Sequence, residues 1–336
     1  MGRAHVTFVL VRKLLRDSRP AFIAVAIVLF LFAAFWVKIT QRVTTQIVPM
    51  SRLISQPFGN AKTLEKVFVR GPSKVSQAAL GWGEINFDDP TDFLAIGLLH
   101  PVVLVICMVW GVGRSAGAVA GELDRGTMEL LMSQPVPRSR LLLAHLCVDC
   151  IVLPALCLSF FAGTQFGLWA VGDFVPDYAM LDDAAKESPL VAGLVKQVPR
   201  DPTPLQVNGR SELVGLVSTL AFMFAISGVA LALSAFGRSR WKVIGYSVLV
   251  LVVMFVANTI GQLWEPAGFV RPFTFFYYYQ PQRMMIDGTW TVDVGQTWNL
   301  GRSVPVPAVG VLFAVGAAGY ALALRFFTRR DLPAPL

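Results

Sequence analysis

Residues Phe93–Gly113 read FLAIGLLHPVVLVICMVWGVG, a run without a single charged side chain. As a helix, a run of about 20 apolar residues spans the hydrocarbon of a bilayer, where every backbone polar group must be bonded internally. Five further runs pass the same test: Ala21–Val37, Leu146–Val171, Leu213–Phe236, Val243–Trp264 and Val306–Phe327. With 55% hydrophobic and 15% charged residues, the chain is richer in apolar side chains than a soluble core needs. Its fold class is therefore an all-α integral membrane protein with six transmembrane helices, forming one transmembrane domain over residues 1–336. The third run is long and contains Pro154, so a tilt, kink or break is expected near there. No small-residue cleavage site precedes Lys38, and the first run reads as a retained anchor.

Charge orders these spans across the membrane. The short connections, Arg114–Arg140 and Arg238–Lys242, are basic, as are both chain ends, whereas most acidic residues fall in three long connections, 38–92, 172–212 and 265–305. Cations mark the cytoplasmic side, so both termini are expected in the cytoplasm of a multi-pass plasma or inner membrane protein, with the long loops outside. The net charge of +8 then reports orientation and speaks against a nucleic-acid partner. Asp173, Asp177, Asp182, Asp183 and Glu187 make the second loop acidic; a folded outer cap and separate loops both fit. Before the first span, Phe8, Val11, Leu14 and Leu15 oppose Arg12, Arg16 and Arg19, the pattern of an interfacial helix over residues 1–19 lying on membrane lipid. A basic tail ahead of the anchor is the plainer alternative.

Between the second and third spans lies Glu122–Arg138, ELDRGTMELLMSQPVPR. Gly126 permits a sharp turn, Thr127 can cap a helix, and Glu129 sits in the first turn where the helix dipole favours an acid. Met128, Leu130, Leu131 and Met132 form a short apolar surface; Pro135 and Pro137 end it, and Arg138 and Arg140 mark the membrane boundary. A short amphipathic helix within the cytoplasmic segment 114–140 reads as a docking element.

That segment resembles the cytoplasmic connection between spans two and three in ATP-binding-cassette permeases of the type-2 exporter superfamily, through Glu122, Gly126, Thr127, Leu130, Leu131, Pro135, Arg138 and the apolar run from Leu141. The aromatic passage Phe273–Tyr279, followed by Pro281 and Gly288, is similar to the stretch before the last span of those permeases. The resemblance implies a coupling helix on which a separate ATP-binding subunit docks, contacting Glu122, Arg125, Gly126, Thr127, Glu129, Leu130, Leu131, Pro135 and Arg138. It also implies a second permease chain, the same or related, and an N-terminal interfacial helix. No GxxxxGK[ST] loop is present, so ATP and Mg are expected in the partner and no cofactor on this chain. An HExxH pair is absent as well, and no catalytic residue is assigned.

Remaining constellations admit two readings each. Cys147, Cys150, Asp149 and His145 have metal-ligand chemistry, yet buried cysteines commonly act as small apolar residues, and no metal site is assigned. Asp149 is an intramembrane carboxylate, a candidate for a transport path or for a structural pair with His145 or an arginine. Tyr277, Tyr278 and Tyr279 suit an outer gate or an interfacial belt. Gly113, Gly117 and Gly121 recur every fourth residue, making a helix-packing or dimer seam or a flexible approach to the coupling segment. The expected function is an exporter permease; the alternatives are a permease that transmits motion to an outer partner without moving a solute, and a self-contained channel or ion-coupled carrier.

Overall fold

One helix, α1 (Arg3–Arg42), carries both the basic N-terminal stretch and the first span in the computed structural model, which describes residues 3–49, 89–133, 137–198 and 200–330. Pro20 lies inside it, and the Ser18 hydroxyl donates to the Leu14 carbonyl at 2.8 Å in the turn before. The leading helix expected over residues 1–19 thus runs into the span without a break. A π turn at Val43–Ile47 follows, in which Thr44 and Thr45 donate to the carbonyls of Thr40 and Gln41 at 2.8 and 2.7 Å. Most of the first loop expected outside, residues 50–88, lies outside the described residues, as does Pro135.

The second span corrects one expectation. It is not continuous over Phe93–Gly113: α2 (Pro90–Leu99) ends at His100, which has ψ 134°, and α3 (Pro101–Ala116) starts at the proline. Proline disfavours the helical conformation in the residue before it and supplies a ready first helical position. His100 adapts by accepting the Val102 N–H on Nδ1 at 3.3 Å. A π turn, Gly117–Gly121, and the short α4 (Glu122–Asp124) extend α3, and α5 (Thr127–Met132) follows a turn. By contrast α6 (Arg138–Val171) continues through Pro154.

Among the described residues, six helices are long and apolar enough to cross a membrane; the last three are α9 (Glu212–Phe236), α10 (Arg240–Leu263) and α14 (Ala308–Arg329). α1 lies along α6, and α9 lies between α14 and α3. Small residues permit the closest approaches: a β-carbon on Gly163 of α6 would fall on the Phe30 backbone, and one on Gly228 of α9 on that of Gly316 in α14. The core where these helices meet includes Leu29, Leu98, Leu156, Phe222 and Met223. Ile23, Ile27, Leu31 and Phe35 on α1 and Val248, Val252 and Val253 on α10 are exposed, as lipid-facing side chains would be.

The long connections have structure of their own. In the second, α7 (Ala179–Glu187) and α8 (Pro189–Val195) close over Leu181, Val195 and Val198. Glu212, expected at the end of this loop, is instead the first residue of α9 and is buried. In the third, a 3-10 helix (Glu265–Phe273), α11 (Phe275–Tyr278) and α12 (Pro281–Ile286) precede β1 (Thr291–Asp293), α13 (Val294–Thr297) and β2 (Pro305–Pro307). The two strands pair antiparallel, Val292 opposite Val306.

Candidate coupling site

Around Glu122 the sequence folds into a turn held by its own side chains. Gly126 takes φ 69°, a left-handed conformation that a residue with a β-carbon adopts only at a cost, and so reverses the chain between α4 and α5. The Glu122 carboxylate accepts from the Thr127 hydroxyl at 2.5 Å and, on its other oxygen, from the Arg125 guanidinium. Thr127 therefore closes the turn through Glu122 and not through a cap on its own helix.

The short apolar surface is divided. Met128 is buried among Leu141, Leu142 and Phe327, and Leu131 and Met132 pack partly against the same cluster. Leu130 is 72% exposed, with Glu129 and Arg125 also facing outward. Of the residues expected to meet a partner, the structure thus presents Arg125, Gly126, Glu129 and Leu130, while Leu131 faces largely into its own chain. Arg138 is turned inward as well: its Nη1 donates to the Arg330 carbonyl at 2.5 Å.

Three braces tie this turn to the spans. The Asp124 carboxylate accepts the Arg240 N–H at 3.3 Å, at the N-terminus of α10, where exposed N–H groups favour an anion. Arg330 at the end of α14, held by Arg138, donates from Nη1 to the carbonyls of Ala235 and Gly237 at 2.8 and 2.9 Å, satisfying the C-terminal end of α9. Burial lowers the Arg330 pKa, and neighbouring Arg238 adds to that direction. Third, Ser234 of α9 meets the π turn: its Oγ accepts from the N–H of Val119 (3.2 Å) and Ala120 (3.0 Å) and donates to the Ala116 carbonyl (3.0 Å).

The glycine seam is occupied within the chain. The Arg240 stem lies along Gly121 and its guanidinium along Gly117, and its Nη2 donates to the Gly113 carbonyl at 3.4 Å; a β-carbon on Gly113 would meet nothing within 4 Å. Asp149 is also engaged. Arg114 Nε donates to its Oδ1 at 2.7 Å, Tyr320 donates to Oδ2, and Arg114 Nη2 reaches the His145 carbonyl at 2.7 Å, joining spans two, three and six. Cys147 and Cys150 face outward while His145 and Asp149 face inward, so the four do not converge.

Tyr277 and Tyr279 are buried. Tyr279 donates to the Leu98 carbonyl at 2.7 Å at the broken end of α2 and packs on Phe222, with ring centroids 4.6 Å apart. Burial, with the nearby Cys107, raises its pKa well above the tyrosine value against a hydrogen bond from Thr219. The Tyr277 hydroxyl lies 2.6 Å from that of Thr297, with Tyr278 edge-on to its ring and burial raising the Tyr278 pKa. These rings hold the connection 265–305 to the bundle.

Ser234, Arg240, Tyr320, Arg330 and Glu212 were not singled out from sequence. Glu212 accepts from the Thr164 hydroxyl at 2.9 Å, and its Oε2 has no partner among the described residues. A lone hydroxyl in an apolar run was the available signal for Tyr320, whereas Ser234 shares its run with Ser218, Thr219 and Ser227.

Among the described residues, six helices long and apolar enough to cross a membrane, with a polar turn braced to several of them, define a multi-pass membrane protein. Residues 9–332 match the family model described as ABC-2 family transporter protein, and the chain belongs to that family. It is a membrane permease component of an ATP-binding-cassette transporter, a class that works with an ATP-binding partner. No curated protein and no solved structure matches it.

Proposed function

We propose that the chain is an exporter permease driven by an ATP-binding subunit that docks on the turn Glu122–Met132, with both termini in the cytoplasm of the plasma or inner membrane. One observation carries this reading: Leu130 stands 72% exposed on a turn that is otherwise locked by Glu122 and braced to three spans. An exposed leucine on so fixed a support suits burial by a partner. Nucleotide-driven closure of the ATPase, which holds ATP and Mg, would move the turn, and the braces would pass that motion to α10 through Asp124, to α14 through Arg138 and to α9 through Ser234. A second permease chain completes the assembly; the apolar groove of about 500 Å³ between α3 and α10, lined by Leu104, Met108, Val248 and Val252, supports its placement there. The residues act by contact and leverage.

The ordered elements 179–195 and 265–307 favour keeping a second reading, in which the same motion is delivered to an outer partner without a solute crossing. Co-purification of the tagged full chain followed by mass spectrometry tests the shared core of both. An ATP-binding subunit whose hydrolysis rate changes in the presence of the chain is the expected result; a chain recovered without one overturns the assignment. Cysteine labelling at Lys196 and Arg329, both exposed, checks orientation: labelling from the same side refutes it.

A further inference from the structure

At the end of the bundle away from the coupling turn, a cavity of about 820 Å³ opens between the end of α10, the 3-10 helix and the β1–β2 hairpin. Two guanidinium groups line it, Arg271 and Arg283, together with Gln262, Gln280 and Asn299. Among the described residues neither arginine forms an ion pair. Arg271 is set in place: its stem occupies the space left by Gly261, its Nε donates to Asn258 Oδ1 at 3.5 Å, and its guanidinium lies 5.2 Å from the Tyr277 ring centre.

Two acids, Asp293 and Glu265, also line the cavity, and among the described residues neither forms an ion pair with these cations. Asp293 spends its carboxylate on its own hairpin, accepting from the N–H groups of Gln296 and Val304 at 3.0 and 2.9 Å and from the Ser303 hydroxyl at 2.6 Å. Glu265 lies exposed in the first turn of the 3-10 helix. On the same wall Gln262 Oε1 is buried without a hydrogen-bond partner, an acceptor that lacks a donor. Two cations and one orphaned acceptor together call for an oxyanion that also carries a hydroxyl.

We propose that this cavity binds a phosphate ester of a small polyhydroxy alcohol, Arg271 and Arg283 holding the phosphoryl oxygens and Gln262 accepting from a hydroxyl. Planar guanidinium forks match phosphoryl oxygens, and the amide and hydroxyl lining suits the alcohol. Burial lowers the Arg271 pKa, Tyr277 opposes that shift and Arg283 adds to it, so a bound anion would relieve an existing electrostatic cost. Glycerol phosphate is the smallest such group, and it occurs both free and as the headgroup of phosphatidylglycerol. The inference does not rest on ATPase docking.

Phenylglyoxal labelling of the full chain in nanodiscs, read residue by residue by mass spectrometry, tests it. Arg283 is exposed and reports the cavity; Arg210, exposed in the second outer connection, is the control. In phosphatidylcholine discs, added glycerol phosphate should protect Arg283 if the ligand is soluble; in its absence, phosphatidylglycerol discs should protect Arg283 relative to phosphatidylcholine if the source is lipid. Arg271→Gln should weaken the protecting ligand about tenfold, as loss of a charged hydrogen bond does, and Gln262→Ala, which leaves both cations, should weaken it by a smaller factor. Failure of both arms to protect, protection of Arg210 to the same degree, or undiminished protection in both variants overturns the proposal.

Discussion

Arg114 of α3 and Asp149 of α6 form a buried ion pair, Nε to Oδ1 at 2.7 Å, with side-chain exposures of 12% and 3%. Tyr320 of α14 completes the carboxylate's partners, so three spans are pinned at one point just inside the coupling turn. Paired charges of this kind add little over an apolar substitute, but losing one partner strands the other. Asp149→Asn should therefore destabilise the chain by about 3 kcal/mol, whereas Arg114→Met combined with Asp149→Leu should recover most of that loss. Thermal unfolding in detergent, run as a double-mutant cycle, checks the order; a double variant as unstable as the worse single one would contradict it.

The Ser234 hydroxyl serves two N–H groups of the π turn, those of Val119 and Ala120, and the Ala116 carbonyl just before it. Ser234→Ala removes three hydrogen bonds made to buried backbone groups, which should cost about 1–3 kcal/mol. Faster amide exchange at Val119 and Ala120, with the far end of α9 unchanged, is the expected signature. Exchange at those two amides as slow as in the unmodified chain would remove Ser234 from the bracing scheme.

How legible this was differs by level. The spans could be read because a bilayer demands a minimum length of uncharged helix, a local property of the chain. The turn at Gly126 was legible for the same reason, while the division of Leu130 from Leu131 was not, since it depends on where Phe327 and Leu142 arrive. Two prolines in apolar runs looked alike, yet only Pro101 breaks its helix, because His100 finds a cap for the following turn. The braces were hidden by distance: Ser234 and Arg240 lie 115 and 127 residues from Val119 and Gly113.

The β1–β2 hairpin should loosen in acid. The Ser303 hydroxyl, then the N–H groups of Val304 and Gln296, hold Asp293 below the ordinary aspartate value of 3.8. Its ionised form is thus favoured in the folded hairpin; the stabilisation is complete above the unfolded value and is lost as the pH falls through the folded one. Trp298, bonded through Nε1 to the Phe269 carbonyl at 3.0 Å, is a nearby fluorescent reporter. Its emission should shift at acidic pH below the ordinary aspartate value, and Asp293→Asn should flatten that part of the profile. An unchanged profile in the variant would exclude Asp293 as its source.

Leu130 and Met128 separate docking from folding, because they sit two residues apart on one short helix with opposite surroundings. Met128 is 2% exposed and belongs to the cluster of Leu141, Leu142 and Phe327, so Met128→Asp should impair folding and yield in any context. Leu130, at 72% exposure, contributes nothing comparable to the chain alone. If an ATP-binding subunit buries it, the contact is worth about 1.5–3 kcal/mol, or roughly a ten- to hundredfold change in affinity. Leu130→Asp should then insert and melt like the unmodified chain while the ATPase no longer co-purifies and its hydrolysis ceases to respond. Leu131 is best left intact here, since its partial burial would mix the two effects. An ATPase still bound and still stimulated by the Leu130→Asp chain would show that the exposed face of this turn is not where the subunit docks.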